Sequence, residues 1–470
     1  MSNVSVSQQG AKARSISSFV FVGVVLLLAM LAIVQPGSKV SFQLGGTVNT
    51  IDELWVLFSA SLVFFMQIGF LAYEVGLARP AHATVVAVKN VVDWTISSIG
   101  FTAIGFGIMF GSSAGGFIGT DLFALHGISD AANTVSGPTF FLFNLAFAGT
   151  AITLVSGSLV ERTTLLAYSI VAVSIGLIIY PVFGHWVWGD FLNPDNGAWL
   201  AAIGFHDFAG ASVVHLVGAT VALVGLVIIG PRIGRFGPKG EVNELAPSNV
   251  GLTMMGVLIL WFGWWGFNGG SHLALDGNVS STIINTNLSG VAGLVSGGLW
   301  AHLFHGRYAL NTKLVGGAIG GLVSITACAD IVSPLSAVVI GLVAGIVYAI
   351  GHDWLLTLKI DDALGVVPAH GFGGIWGLLA VGIFGPSSAF EQGRLVQIFI
   401  QLAGAAVAVA WAGSVSFVIY RIIQRFIGLR IAPAEELGGA SLEINENMDP
   451  VQRLRSRVQA HKASASATSD

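Results

Sequence analysis

Apolar runs of about 20 residues recur along the chain, the length a helix needs to cross a hydrocarbon core of ~30 Å. They lie near 18–34, 53–77, 84–110, 138–160, 164–188, 206–230, 249–270, 285–305, 313–332, 335–354, 366–386 and 395–427. The first follows Lys12 and Arg14, spans about 17 residues and has no clear small-x-small cleavage site before Pro36. It reads equally as a signal peptide or an uncleaved extra helix. With 53–77 entering from outside, the inner loops hold Arg79, Arg162, Arg232, Arg235, Lys239, Arg307, Lys313, Lys359, Arg421, Arg425 and Arg430. The opposite loops hold Lys39 and Arg394. Basic residues collect on the cytoplasmic side. The pattern therefore predicts an all-α polytopic membrane protein of eleven core helices, multi-pass in the cell membrane with a cytoplasmic C-terminus. Three segments follow: an N-terminal 1–50, a transmembrane domain 51–428 and a cytoplasmic tail 429–470. The tail turns polar, ends in HKASASATSD and has no core to bury.

Composition agrees. Of 470 residues, 54% are hydrophobic and 9% charged, against about a quarter charged in a soluble chain. Sixty-two glycines suit close helix crossings in lipid. The single cysteine, Cys328, excludes an intrachain disulfide framework and a cysteine-built metal site. The net charge of −4 identifies no partner, and no nucleic-acid ligand is expected.

Within the oily run HDFAGASVVHLVGAT, His215 is conspicuous, because an ionisable group at membrane depth is a functional suspect by default. Asp207, Gly210, His215 and Gly218 form D-x2-G-x4-H-x2-G. The spacing returns at Asp362, Gly365, His370 and Gly373. The two copies fall on the fifth and tenth core helices, which run in opposite directions, as in an inverted repeat with a midplane site. At 1.5 Å per residue, His215 lies ~13 Å from the outer surface and His370 ~12 Å from the inner one. The two imidazoles can therefore meet mid-membrane. Asp207 and Asp362 read as structural, each placed to cap the helix that follows.

Four motifs in order, FLFNLAFAGT at 141–150, HDFAGASVVHLVGA at 206–219, GWWGFNGGS at 263–271 and PAHGFGGIWG at 368–377, resemble those of the ammonium transporter (Amt/Mep/Rh) family. The resemblance covers about 51–428. It implies a bundle of two inverted five-helix repeats plus a final helix, assembled as a homotrimer, that moves ammonium or ammonia and accepts methylammonium as an analogue. It implies that His215 and His370 are the twin pore histidines, with Trp264 packed along the pore. By the same resemblance Phe147 and Phe267 gate the outer pore, while Trp188 and Ser271 form an external recruitment site rimmed by Phe143. The Trp/Ser pair points to the Amt branch. A PII-type regulatory protein becomes a candidate partner.

The chain departs from the family pattern twice. FLNPDNGAWLAAIGF is inserted after the Trp188 segment as an elongated outer loop. The tail keeps only Arg430, Glu436 and Gly439 of the family's pattern, which puts tail-mediated gating in doubt.

The chemistry suits these residue types. Aromatic faces attract a cation by ~0.5–2 kcal/mol, and a serine oxygen accepts an N–H that potassium lacks. Dehydrating an unpaired cation costs on the order of tens of kcal/mol, after which a titratable group neutralises instead. Ammonium can shed a proton and potassium cannot. Neutral imidazoles both donate and accept, giving a polar thread for ammonia through an apolar tube. Net passage of ammonia and of ammonium both fit this pattern.

No nucleotide loop, HExxH or other cofactor motif is found, so neither an enzyme nor a cofactor is expected. His302 and His305 have metal-compatible spacing but read as interfacial packing. A Rhesus-type ammonia or carbon dioxide channel and an ammonium sensor remain as alternatives.

Overall fold

The computed structural model describes residues 48–128, 135–305 and 310–439, so the 18–34 segment lies outside the described residues. Among these residues there is no strand, only three isolated backbone bridges. The long helices are α1 (Thr50–Leu77), α2 (Pro80–Phe110), α3 (Gly137–Ser158), α4 (Leu165–Trp188), α5 (Ala211–Ile229), α6 (Val250–Gly270), α7 (Gly277–Phe304), α8 (Leu310–Ile325), α9 (Pro334–Thr357), α10 (Val367–Phe384) and α11 (Arg394–Phe426). Among the described residues, nine are long and apolar enough to cross a membrane: α1–α6 and α9–α11. α7 is long but diluted by Asn, Ser, Thr and Gly, and α8 has 16 residues. Both pack tightly with α9.

Local sequence starts these helices as capping rules require. Asn249 accepts the Leu252 N–H ahead of α6, and Ser333 accepts from Ser336 ahead of α9, where Pro334 takes a position that needs no N–H. Close crossings need glycine. A Cβ on Gly293 of α7 would strike the Gly317 carbonyl of α8. The bundle is built around α3, 94% of whose apolar window is buried, whereas α11 has 28% of its window covered and lies outermost.

Two predicted spans move. α7 begins at Gly277 rather than 285, because Asp276 caps it by accepting the Asn278 N–H and Thr282, buried in its first turns, pairs sideways with His272 Nε2 at 2.8 Å. Asn285 Nδ2 donates to the Ala329 and Val332 carbonyls, and Thr286 Oγ1 accepts from Asn268 Nδ2. α8 ends at Ile325 rather than 332. The carbonyls of Thr326 and Ala327 accept instead from Ala209 and Phe208, just ahead of α5.

The tail also departs from expectation. Residues 429–439, including the short helix α12 (Pro433–Gly438), are docked on the loops at the basic end of the bundle. Glu436 is fully buried, accepting from Ile233 N–H at 2.6 Å and from Arg430 at 2.8 and 2.9 Å. Arg430 donates in turn to the carbonyls of Ile229 and Pro231. Polar residues can leave water when each charge finds a partner, and here the interhelical loops supply them. Beside this lock, Asp361 receives Arg162 at 2.8 Å and both the backbone and side chain of Arg232. Burial favours the neutral acid, but these two guanidiniums outweigh it and hold Asp361 well below the usual carboxylate range.

Candidate functional site

The two copies of the repeated motif fold alike. Each begins with its aspartate, passes through a left-handed glycine (φ +104° at Gly210, +71° at Gly365) and enters a wide π-helical turn, Ala211–Leu216 or Val367–Phe372. A side chain other than glycine is strained at such φ. Each turn carries its histidine next to or near its end, and the two turns meet. His215 Nδ1 lies 3.2 Å from His370 Nδ1, so one ring donates and the other accepts. Both rings are buried, and His215 Nε2 has no hydrogen-bond partner among the described residues.

Aromatic rings close the space beside this pair. His215 packs against both Trp264 (centroids 5.3 Å, 27°) and Phe267 (5.5 Å, 22°), which are themselves 5.8 Å apart. Trp264 is fixed by donating Nε1–H to Thr326 Oγ1 at 2.9 Å. Phe147 and Phe267 stack face to face at 3.9 Å and 19°. Both are fully buried, so no open path passes between them in this conformation.

Beyond the stacked pair is a small cavity lined by Phe143, Asn144, Phe147, Trp188, Phe208 and Ser271. Its accessible volume of about 20 Å³ suits one water-sized guest. Trp188 presents its face because its Nε1–H is held by the Asp207 carbonyl at 2.9 Å and its ring stacks on Phe191. Gly210 lets it approach, since a Cβ there would lie 2.9 Å from the indole. Ser271 Oγ donates to the Phe267 carbonyl at 2.8 Å, leaving its lone pairs for a donor in the cavity.

The structure thus gathers His215, His370, Trp264, Phe147 and Phe267 into one column, with Phe143, Trp188 and Ser271 at its head. Asp207 sits below Trp188, its carboxylate accepting four backbone N–H groups from Gly210 to Val213 and the Ser212 hydroxyl. Asp362 receives the Val367 N–H at 2.7 Å.

A family model, Ammonium Transporter Family, matches residues 54–448. The chain belongs to this family. It is 37% identical to ammonium transporter Amt2 of Archaeoglobus fulgidus, over 83% of this chain and 86% of that one. Among solved structures it is similar to a sensor Amt protein (TM-score 0.82, 39% identity, 84% and 98% covered). It is also similar to Mep2 of Candida albicans (TM-score 0.77, 27% identity, 88% and 94% covered).

Several residues of this site escaped sequence reasoning. Asn144 and Phe208 line it from within the motifs, whereas Phe191 and Thr326 brace it from outside them, where no sequence signal marked them. At the rim, His272 packs on Phe208 at 4.9 Å, and His206 pairs with Asp330 at 3.3 Å. Burial opposes charge on His206, but the Asp330 carboxylate outweighs it and lifts the imidazole above its ordinary value. At His272 burial prevails over Asp276 and Asp330, and the imidazole falls below. His305 pairs with Asp353 at 3.1 Å, and His302 is exposed, so the structure does not bring the two histidines to one site.

Proposed function

We propose that this member of the ammonium transporter family takes up ammonium across the cytoplasmic membrane by recruitment, deprotonation and passage along a histidine pair. The observation that carries the reading is the column itself: an aromatic cup, a sealed phenylalanine pair, then two imidazoles in contact. In the cup, the faces of Trp188, Phe143 and Phe147 attract a cation, and Ser271 Oγ accepts an N–H. This recruits ammonium but does not carry it. Past Phe147 and Phe267 the wall is apolar, and an intact cation would enter without its water at a cost on the order of tens of kcal/mol. Ammonium that leaves its proton behind enters as ammonia. Potassium has no such route.

Along the pore, His215 and His370 hydrogen-bond ammonia and hand a proton from one ring nitrogen to the other. Asp207 and Asp362 act indirectly, by setting the turns that carry the histidines.

In this reading the membrane domain spans 51–428 as eleven helices, five related to the next five by inversion, with the tail from 429 in the cytoplasm. Exposed apolar faces on α1 and α11 suit lipid and a homotrimer, and a PII-type protein would meet the basic end. The relatives are named as transporters, and an enzymatic role is not part of the proposal.

The test is methylammonium uptake in cells lacking their own ammonium transporters, with excess potassium as competitor. Saturable uptake indifferent to potassium supports the reading, and inhibition by potassium contradicts it. The 39% identity to a sensor Amt protein favours sensing as the second reading. It predicts ammonium binding without flux.

A further inference from the structure

Three ionisable side chains lie inside the helices away from the histidine column: Glu74 on α1, and Lys89 and Asp93 on α2, all buried. Glu74 Oε2 accepts from Asn90 Nδ2 at 3.1 Å and from Ser156 Oγ at 3.2 Å. Its Oε1 has no hydrogen-bond partner among the described residues, although Glu74 is 1% exposed. Lys89 Nζ sits over the Tyr168 ring at 4.3 Å.

Glu74 also lines a small cavity, of about 20 Å³, together with Tyr73, Thr153, Leu364 and His370. The cavity therefore joins the far side of the histidine pair to a carboxylate. In the orientation read from Lys and Arg, Glu74 lies three residues from the inner end of α1, on the cytoplasmic side of His370.

Charge arithmetic makes this arrangement unusual. One lysine and two carboxylates sum to −1, with Tyr73, Tyr168 and Asp362 the uncharged or acidic groups nearby. Arg162, the other cation in reach, is engaged by Asp361. An uncompensated charge away from water is costly. The cluster therefore has an electrostatic place for one added positive charge, and of its three members Glu74 is the one that lines the cavity.

We propose that Glu74 is the inner proton station of the pore, a proposal that rests on the transport reading above. Ammonium leaves its proton at the outer cup and ammonia crosses. The proton, relayed through His215 and His370, is taken by the Glu74 carboxylate as a carboxylic acid. Ammonia arriving in the inner cavity removes that proton, its lone pair forming the fourth N–H bond while the O–H pair returns to the carboxylate. The products are ammonium and the starting carboxylate, so the cycle closes with one charge moved per ammonia. Tyr73, Thr153 and the Glu74 carboxylate then offer oxygen to the re-formed cation before it leaves.

The experiment uses the purified full-length chain in proteoliposomes, measuring the transient current evoked by an ammonium pulse. Glu74→Gln keeps the size of the side chain and an oxygen for Asn90 and Ser156, and leaves Lys89 and Asp93 as a neutral pair. It should cut the ammonium-evoked current tenfold or more with unchanged membrane insertion. Glu74→Asp should keep a measurable current with an altered pH profile, which a merely structural role would not produce. Wild-type current in Glu74→Gln overturns the proposal while leaving the transport reading intact. Absence of both current and methylammonium uptake in the wild type fails the transport reading itself.

If Glu74→Gln does not insert, the wild type decides. Dicyclohexylcarbodiimide, whose electrophilic carbon is attacked by carboxyls that are protonated in apolar surroundings, should label Glu74, and ammonium should slow the labelling. An unlabelled Glu74 overturns the proposal.

Discussion

The two copies of D-x2-G-x4-H share a backbone but hold their carboxylates differently. Asp207 is saturated by four backbone N–H groups and the Ser212 hydroxyl, and is sealed beneath Trp188. Asp362 takes the Val367 N–H, while its Oδ1 has no hydrogen-bond partner among the described residues. It also lines a cavity of about 410 Å³ at the basic end, with Arg232, Arg235 and Lys313. The repeated motif reproduces the helix turn that carries a histidine, but the two carboxylates meet different surroundings. In the first copy the carboxylate is a fixed support beneath Trp188, and in the second it is one wall of the larger cavity.

The largest consequence is for stability. Asp207→Ala orphans several buried N–H groups at about 1–3 kcal/mol each, so it should lose on the order of 5 kcal/mol. Asp362→Asn retains an acceptor for Val367 and should cost about 1 kcal/mol or less. Thermal unfolding in detergent compares the pair, and equal losses would erase the contrast.

Next, Trp188→Leu removes a cation-facing ring, worth a roughly 2- to 30-fold weaker apparent affinity for methylammonium with the saturating rate retained. An unchanged affinity would take Trp188 out of the cup. At the inner end, deleting 440–470 should leave insertion and uptake intact. Deleting 431–470 removes Glu436 from Arg430 and should cost about 1–3 kcal/mol. Equal stability of the two truncations would mean that the docked tail does not hold the loops together.

The smallest effect concerns pH. Asp361 has a depressed folded-state pKa, so its contribution is present above the ordinary carboxylate value near 3.8 and is lost only as pH falls through the lower folded value. Melting temperature should therefore show no loss from this group between pH 8 and 5. In Asp361→Asn, the wild-type advantage should shrink only below about pH 4.

Much of this was legible in sequence because membrane helices announce themselves by length and the histidines by a repeated spacing. The start of α7 was not, since Asn278, Ser280, Ser281 and Thr282 interrupt the apolar run, yet Thr282 is buried and pairs with His272 across the loop. The docked tail was missed for the same reason: Arg430 and Glu436 are polar by type but buried by pairing. Glu74, Lys89 and Asp93 stood in plain view inside two apolar runs. Their depth marks them as suspects, but only the fold brings them to one cavity. The column of His215, His370, Trp264, Phe147 and Phe267 needed the motifs for its candidates and the structure for its contacts.

The central claim is that His215 and His370 act as one unit, and a double-substitution cycle tests it most directly. Uptake of methylammonium and of potassium is measured in His215→Ala, His370→Ala, the double variant and His215→Asp. Two residues sharing a contact at 3.2 Å should be non-additive. His215→Ala alone should remove most methylammonium uptake and the second substitution little more. His215→Asp should admit potassium, because a carboxylate stabilises an intact cation that neutral imidazole does not. Additive losses, together with potassium exclusion preserved in His215→Asp, would contradict the account.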